Sequence, residues 1–329
     1  MKVKLYGVRG SIPTPLSTKE YRMKIKEILK RAIRQSIKED QIDAFIKGLP
    51  LNLSYVIGGN TTCVRVQTKE KFYIIDAGTG LRVLGEEIIT MQKETSRSHD
   101  SNRLSQTIPK ELHIFLTHTH WDHIQGLPFF KPLYLPDYTL HFYSPFPDIQ
   151  ERLEYQTEQR FFPAPITKTA SKKFYHYIPP KSIFTLEKEI EITTFPLKHP
   201  GGCFSYKFIN KVTGKTFIFA TDVEFTGEDF IERSEFLEYF GGADVLVLDA
   251  QYTLDESFMK IDWGHTSNTM AVNCATQWKV KNLFLTHHEP TYKDSMIYEN
   301  YKHAIEHREK LNASKPNIYL AIEGLEIVL

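Results

Sequence analysis

The sequence predicts an α/β protein in which two sheets pack face to face and helices cover them on the outside. Short apolar segments of strand length alternate with helical segments along most of the chain, which is typical of mixed sheets flanked by helices. Several apolar segments also end in a titratable residue: Asp76, His118, Asp222, Asp249 and His287. Because functional residues concentrate on loops held by a rigid sheet, we expect these ends to form one site.

The composition is typical of a globular protein and argues against several other classes of protein. The chain has 329 residues, of which 41% are hydrophobic, and we expect a single domain over residues 1–329. A formal charge of +1 gives no overall basic field that would favour nucleic-acid binding. A local basic patch on the surface is still compatible with this charge. Three cysteines without a C-x-x-C spacing argue against a disulfide framework or a cysteine-only zinc site. With no apolar run near the roughly 18 residues of a membrane span, and no signal-like start, we expect a soluble cytoplasmic protein.

The first fifty residues predict a strand, a loop and a helical insertion. Residues 1–6 alternate like a strand, and residues 7–13 contain two glycines and a proline, which favour a loop. Residues 17–50 have helical periodicity, and Ser17 and Glu20 have the spacing of a capping box. The insertion is either a pair of packed surface helices or a lid over the site.

The remaining chain predicts two further groups of strands. For the first group we expect strands over residues 63–67, 71–76, 112–116 and 139–143, helices over 81–91 and 148–159, and loops over 92–110 and 160–173. For the second group we expect strands over residues 189–196, 203–209, 215–220, 245–248 and 282–285, helices over 267–278 and 292–311, and final strands over 318–329. The Pro-rich, aromatic loop over 160–173 is expected on the substrate side.

The closest spacing of potential metal-binding side chains is in Thr117-His118-Thr119-His120-Trp121-Asp122-His123, directly after an apolar strand. Imidazole and carboxylate are good ligands for divalent transition metals, and four such groups on one loop could not all be buried unpaired. His118 and His120 lie two positions apart, so both rings can reach the same side of an extended chain. Asp122 and His123 would face a neighbouring point, and the loop can therefore serve two metals.

Strand ends elsewhere are expected to complete the ligand sets, because each metal needs about four ligands. His199, Asp222 and His287 each follow an apolar segment, and a carboxylate at position 222 could bridge two metals. Two metals about 3.5–4 Å apart would hold a bridging hydroxide and clamp the oxygens of a displacement reaction. The sequence therefore predicts a dinuclear hydrolytic centre.

Three residues outside the loop are candidates for proton transfer and substrate binding. His265 lies at a helix start and could give a proton to the leaving group, with Asp249 bonded to the ring to keep it protonated; a structural histidine is the alternative. Arg9 beside Gly10 is a candidate for substrate binding, because guanidinium matches phosphate oxygens; a salt-bridging arginine is the alternative.

The T-H-x-H-x-D-H run at residues 117–123 resembles the signature of the metallo-β-lactamase superfamily. Asp76-Ala77-Gly78 is similar to the family's aspartate motif, and His199, Asp222 and His287 are similar to its third, fourth and fifth motifs. The resemblance covers about residues 63–290. It implies the metallo-β-lactamase fold, a four-layer αββα sandwich, with Asp76 supporting the ligand loop.

Within the superfamily, Gly264-His265-Thr266-Ser267 after Asp249, and the ending Leu285-Thr286-His287-His288-Glu289-Pro290, resemble the phosphodiesterase and ribonuclease Z branch. Residues 7–13, 59–63, 76–80 and 121–128 are similar to a bacterial group of metal-dependent hydrolases related to class II cyclic-nucleotide phosphodiesterases. The resemblance implies His265 as general acid and Asp122 at the reaction centre.

The resemblance also implies how two divalent metals would be held. The first metal would be bound by His118, His120 and His199, the second by Asp122, His123 and His287, with Asp222 bridging. His288 is an alternative to His287 as the last ligand. Zn²⁺ is preferred and Mn²⁺ or Fe is possible, because mixed His and Asp ligands select weakly among these ions.

We therefore expect a metal-dependent phosphodiesterase that hydrolyses cyclic nucleotides or other small phosphodiesters through a metal-bridging hydroxide. A ribonuclease Z-like endonuclease is the first alternative, but residues 145–180 do not resemble the tRNA-clamping arm of those enzymes, and Asp249 stands where they have glutamate. A thioester or lactam hydrolase also stays open, as does a non-catalytic metal-binding sensor. The chain could form a homodimer.

Overall fold

The computed structural model describes residues 1–97, 109–230, 234–311 and 316–329, and its framework is two large sheets. The strands within these residues are β1 (Lys2–Gly7), β2 (Cys63–Gln67), β3 (Phe72–Ile75), β4 (Glu111–Phe115), β5 (Thr139–Ser144), β6 (Lys172–Tyr177), β7 (Ile183–Glu187), β8 (Ile190–Leu197), β9 (Cys203–Asn210), β10 (Thr216–Ala220), β11 (Val245–Asp249), β12 (Asn282–Thr286), β13 (Asn317–Leu320) and β14 (Glu326–Val328).

Helices lie before, between and after these strands. Those described are α1 (Thr18–Arg34), α2 (Ile42–Lys47), α3 (Leu51–Ser54), α4 (Gly80–Arg97), α5 (Trp121–Ile124), α6 (Ile149–Gln156), α7 (Ser234–Phe240), α8 (Leu254–Met259), α9 (Asn268–Gln277) and α10 (Asp294–Lys310). No helix of the described ranges is both long and apolar enough to cross a membrane. The cellular location stays a prediction.

The two sheets have matching topologies. The first sheet has the order β14-β1-β2-β3-β4-β5-β6 and the second has the order β13-β12-β11-β10-β9-β8-β7. The strands β3 to β6 run parallel to one another, as do β10 to β13, while the remaining pairs are antiparallel. Each sheet therefore presents a set of parallel strands whose carboxyl ends lie at one edge.

Three apolar layers hold the sheets and helices together. The middle layer lies between the sheets and contains Val3 and Tyr73 from one sheet with Phe208 and Val247 from the other. A second layer packs α4 and α6 on the outer face of the first sheet, and a third packs α7, α9 and α10 on the second. Four layers of structure enclosing three buried layers confirm the predicted αββα sandwich.

The predicted helical insertion contains α1, α2 and α3. Ser17 caps α1 and forms the predicted capping box with Glu20, whose backbone N–H donates to Ser17 Oγ at 3.2 Å. No residue of α1 is buried. α1 therefore lies on the surface, and the function of the insertion stays a prediction.

The structure corrects two predictions about chain segments. We expected a loop over residues 92–110, but α4 continues to Arg97, because Lys93 and Glu94 are good helix formers that face solvent; residues 98–108 lie outside the described ranges. The loop expected over residues 160–173 ends in β6, and β7 follows it without having been predicted.

Arg9 is part of a buried network that ties the N-terminal loop to the start of α10. Its Nε donates to the carbonyl of Gly58 at 2.9 Å, and its Nη1 donates to the carbonyl of Tyr292 at 2.8 Å. Its Nη2 lies 3.4 Å from Asp294, which also binds Lys24 at 2.5 Å. The Arg9 side chain is only 4% exposed. The expectation that Arg9 binds substrate is therefore wrong, because its guanidinium is directed into the protein.

Asp294→Ala is expected to lower the free energy of unfolding by about 3 kcal/mol, because it leaves the buried Arg9 charge without its carboxylate partner. Urea denaturation followed by circular dichroism measures this loss. Asp137→Ala removes a carboxylate from an exposed pair with Lys110 and serves as the control, with an expected loss below about 1 kcal/mol. Equal stability of the two variants would contradict the role given to this network.

Candidate metal centre

The predicted strand-end residues meet at one edge of the sandwich. Asp76 follows β3 in the first sheet, and the 117–123 loop follows β4 beside it. In the second sheet, Asp222 follows β10 closely, Asp249 is the last residue of β11, and His287 follows β12. The parallel pairing of these strands brings their carboxyl ends to the same edge.

Three of these strand-end residues have left-handed backbone conformations. The φ angles of Asp76, Asp222 and His287 are 62°, 57° and 62°. Such a conformation costs a non-glycine residue roughly 1 kcal/mol or more, and it persists only where the surroundings impose it. Here it turns the chain sharply after each strand, so that the side chain lies at the edge of the sheet.

One group of potential ligands contains His118, His120, His199 and Asp222, whose ligand atoms all lie within 4.8 Å of one another. Nε2 of His118 lies 3.5 Å from Oδ2 of Asp222, and Nε2 of His199 lies 3.7 Å from the same oxygen. Nε2 of His199 is also 3.0 Å from Nδ1 of His120. These nitrogens converge on one point beside Oδ2 of Asp222.

A second group contains Asp122, His123, His287 and again Asp222. Nε2 of His123 lies 3.1 Å from Oδ1 of Asp222 and 3.2 Å from Oδ2 of Asp122. Nε2 of His287 lies 3.1 Å from each of these two oxygens. Asp222 therefore offers one oxygen to each group, which is the arrangement expected of a bridging carboxylate.

The donor atoms of the site fit divalent cations. Nε2 of His118 and Nε2 of His123 are buried and have no hydrogen-bond partner. Burial is the largest influence on His118 and lowers its pKa far below the ordinary value, so its nitrogen is a neutral donor. Burial would raise the pKa of Asp222, but His123, His287 and His118 hold it well below the ordinary value. Neutral imidazole beside ionised carboxylate is the protonation state that metal binding requires.

The same charges act on the second group of histidines. Burial would lower the pKa of His287, but Asp222 and Asp122 raise it to about 9. His123 is affected in the same way, and its pKa lies well above the ordinary value because of Asp222, Asp122 and Asp76. The carboxylates therefore favour positive charge at this point, which a bound cation would supply.

Asp76 orients the ligand loop. Its Oδ2 accepts a hydrogen bond from Nδ1 of His123 at 2.7 Å, and its Oδ1 accepts one from the backbone N–H of Thr117 at 2.8 Å. Because Nδ1 of His123 carries the proton, Nε2 is left to face the second group. Asp76 is completely buried and holds the His123 ring in place. Its expected role as a support of the loop, and not as a ligand, stays a prediction.

Asp249 and His265 form a pair at the rim of both groups. Nδ1 of His265 donates to Oδ2 of Asp249 at 2.7 Å, and the His265 ring stacks on His287 with a centroid distance of 4.9 Å. Asp249 is itself held by the backbone N–H of Val223 and that of Gln251. Nδ1 is thus occupied by Asp249, and His265 lines the cavity at the site with Nε2 free of that bond.

The loop after β1 contributes to the site in a way that the sequence analysis missed. The backbone N–H of Ser11 donates to Oδ2 of Asp122 at 2.8 Å. Gly10 lies against His287, and a Cβ at this position would be 2.5 Å from Cε1 of that ring. In the sequence, only the glycines at positions 7 and 10 indicated a close approach of this loop to another part of the chain. A glycine does not indicate which side chain it contacts.

His288 is excluded as an alternative ligand by its placement. It is buried, and its Nε2 donates to the carbonyl of Ala321 at 2.9 Å. Burial lowers its pKa to about 3, which keeps the ring neutral in a structural role. His287 is the histidine that reaches the site.

The site opens into a cavity of about 390 Å³. The residues that line it are Ser11, Thr119, His120, Trp121, Asp122, Asp222, His265 and His287. All come from the two sheet edges and the N-terminal loop, and none belongs to the helical insertion. The cavity therefore reaches both ligand groups and His265.

Comparisons with known proteins agree with the fold. Residues 72–288 match the family described as "Beta-lactamase superfamily domain". A ribonuclease Z from Picosynechococcus sp. is 25% identical over 223 residues, covering 54% of this chain and 68% of that protein. A ribonuclease Z from Bacteroides thetaiotaomicron is 26% identical over 289 residues, covering 73% of this chain and 83% of that protein.

Solved structures share the whole architecture. The metallo-β-lactamase fold protein YhfI from Bacillus subtilis superposes with a TM-score of 0.60 and 16% identity, over 99% of this chain and 98% of that chain. Unliganded yeast PDE1 superposes with a TM-score of 0.61 and 15% identity, over 100% of this chain and 99% of that chain. The family match spans more than half of the chain and includes both ligand groups. The chain therefore belongs to the beta-lactamase superfamily and has the metallo-β-lactamase fold.

Proposed function

We propose that the chain is a metal-dependent phosphodiesterase that acts on cyclic nucleotides or other small phosphodiesters. The observation that carries the proposal is the Asp249–His265 pair, held at 2.7 Å beside two groups of potential metal ligands. A hydrolase with a poor leaving group needs a positioned acid, and the pair supplies one at the edge of the cavity. Relatives named ribonuclease Z and the likeness to yeast PDE1 are consistent with phosphodiester chemistry.

Two divalent cations would be held by the residues of the two ligand groups. His118, His120 and His199 would bind the first, Asp122, His123 and His287 the second, and Asp222 both. When bound, the cations would polarise the phosphoryl oxygens and lower the pKa of a water molecule, which is the usual chemistry of dinuclear sites. Zn²⁺ suits these nitrogen and oxygen donors, and Mn²⁺ or Fe would also fit.

The chain's own residues would position the substrate and move one proton. Water attacks phosphorus as the bond from phosphorus to the leaving oxygen breaks, and Nε2 of His265 gives that oxygen its proton. The proton that the attacking water loses passes to solvent, and His265 takes up a proton from solvent before the next turnover. Asp249 accepts from Nδ1 throughout and so keeps the opposite nitrogen directed into the cavity. Ser11 holds Asp122 in place through its backbone N–H. The products are a phosphomonoester and an alcohol, or one ring-opened monoester from a cyclic substrate.

A ribonuclease Z-like endonuclease is the second candidate, because the curated relatives are named ribonuclease Z. Residues 145–180 argue for a small substrate, since they form α6 and β6 and join the first sheet through β5. The formal charge of +1 adds no general affinity for a polymer. Turnover of metal-loaded protein on cyclic nucleotides, bis-p-nitrophenyl phosphate and pre-tRNA separates the candidates, and cleavage of pre-tRNA alone would replace our proposal.

His265→Asn is expected to lower kcat for a cyclic nucleotide by about 10²- to 10⁴-fold, because asparagine can still bond to Asp249 but cannot supply the proton. The loss should be much smaller for bis-p-nitrophenyl phosphate, whose leaving group departs as a stable anion. Steady-state kinetics on both substrates, with metal content measured alongside, tests this role.

The exposed His303 on α10 provides the matched control, and His303→Asn should leave both activities unchanged. Equal losses on both substrates, together with loss of metal, would show that His265 is a ligand or a structural residue. Unchanged activity of His265→Asn on both substrates would show that His265 is not the general acid.

Gly10→Ala is expected to reduce the metal content and the activity, because the new methyl group would lie 2.5 Å from the His287 ring and displace it. Gly227→Ala is the matched control, since a methyl group there meets no heavy atom within 4 Å. Metal content per chain after gel filtration measures the effect. Full metal occupancy in Gly10→Ala would contradict the assignment of His287 as a ligand.

A further inference from the structure

We call the cavity at the candidate metal centre the metal-site cavity. A second cavity of about 390 Å³ lies beside it. We call it the aromatic pocket and define it by six of its lining residues: Thr119, Trp121, Ile124, Arg152, Tyr155 and Phe161. Thr119 and Trp121 also line the metal-site cavity, so the two spaces share a wall. The volume is in the range of about 300 to 1,000 Å³ that is usual for small-molecule sites.

The aromatic side chains of the pocket are strongly exposed. Trp121 is 79% exposed, Phe161 is 61% exposed and Tyr155 is 56% exposed. The rings of Tyr155 and Phe161 contact each other edge to face, with a centroid distance of 5.6 Å. A group of large exposed aromatic rings next to a reaction centre is a mark of a binding surface, because such rings gain free energy when a ligand covers them.

The pocket walls are held by local structure. Trp121 is the first residue of α5, between the ligands His120 and Asp122, and its carbonyl accepts the N–H of Gln125 at 2.7 Å. Phe161 follows α6, and its N–H donates to the carbonyl of Glu158 at 2.8 Å. The backbone positions of Trp121 and Phe161 are therefore fixed by local hydrogen bonds.

Arg152 provides a charge at the boundary between the two cavities. Its Nη1 donates to Oγ1 of Thr119 at 3.0 Å, and its Nε donates to Asp148 at 3.0 Å. The guanidinium also lies over the ring of Phe146, 4.2 Å from its centroid. A molecule that fills the aromatic pocket and carries a negative charge toward the metal site would pass next to this arginine.

We propose that the aromatic pocket binds the base of a nucleotide whose phosphodiester lies in the metal-site cavity, and that Trp121, Tyr155 and Phe161 determine this specificity. Exposed aromatic faces suit a flat base, which stacks on them without needing a particular hydrogen-bond pattern. The shared wall and Arg152 suit a phosphate attached on one side. This inference rests on the proposed phosphodiesterase function and narrows its substrate to a base-bearing diester.

The test compares two diesters that differ only in the base: thymidine 5′-(p-nitrophenyl phosphate) and its abasic analogue, the p-nitrophenyl phosphate of 1-O-methyl-deoxyribose. Phe161→Ala should lower kcat/KM for the thymidine substrate by about tenfold to hundredfold, which is the usual effect of removing a stacking ring. Its kcat/KM for the abasic analogue should stay within about twofold of wild type, since no base is present to stack.

Trp121→Ala should show the same selective loss, and its metal content must be measured because Trp121 lies between two ligands. Phe258→Ala is the matched control, since Phe258 is 66% exposed but does not line the pocket. Equal losses of Phe161→Ala on both substrates would overturn the proposal, because the pocket would then serve the nitrophenyl group or the fold. No loss on either substrate would also overturn it.

A binding experiment separates this proposal from the proposed function. Calorimetry with metal-loaded protein compares 5′-AMP with ribose 5-phosphate, which lacks the base. In one outcome, wild-type protein hydrolyses neither diester and still binds 5′-AMP more tightly than ribose 5-phosphate. If Phe161→Ala then binds the two ligands equally, the base site is supported and the phosphodiesterase proposal is wrong. Equal affinity for the two ligands would overturn the base site whether or not the diesters are hydrolysed.

Discussion

The negative charge of two buried carboxylates, Asp122 and Asp222, is the constraint on which the rest of the site depends. Asp122 is 5% exposed and Asp222 is 2% exposed, and each lies about 3.1 Å from Nε2 of His287. Unbalanced buried charges cost several kcal/mol, so these carboxylates require cations or protonated rings around them. One carboxylate comes from each sheet, and the sandwich therefore has to close before the site exists.

Each sheet orients one histidine through a buried aspartate at the end of a strand. Asp76 at the end of β3 and Asp249 at the end of β11 are both completely buried. Each accepts the Nδ1 proton of a histidine at 2.7 Å, namely His123 in the first sheet and His265 in the second. One pair directs a nitrogen toward the ligand group, and the other directs a nitrogen toward the cavity. The matching topologies of the sheets thus supply two equivalent supports with different uses.

The sequence predicted the fold and the composition of the site because both depend on local patterns. Ligands on consecutive residues and at strand ends stay together whatever the exact packing, since parallel strands must end at a common edge. Hydrophobic periodicity likewise marked most strands of both sheets, whereas β6 and β7, at one end of each sheet, were not predicted. The ligand roles and the metals stay predictions, because a set of donor atoms does not by itself identify the ion that it binds.

The parts that could not be predicted depend on tertiary contacts. Arg9 was expected at a phosphate, but the carbonyls of Gly58 and Tyr292 and the carboxylate of Asp294 are distant in sequence and invisible to a local pattern. The N–H of Ser11 was missed because a backbone donor leaves no trace in side-chain identity. The aromatic pocket needed the fold as well, since Trp121 and Phe161 meet only through the packing of α5 and α6.

The left-handed conformations of Asp76, Asp222 and His287 have a consequence for how such sequences change over evolutionary time. Each residue tolerates an unfavourable backbone because its side chain is needed where the strand ends. A descendant that no longer used the site would lose this reason, and glycine, which adopts the left-handed region without cost, would relieve the strain. We therefore expect glycine at these three positions in homologues that have lost the site, and aspartate or histidine in homologues that keep it.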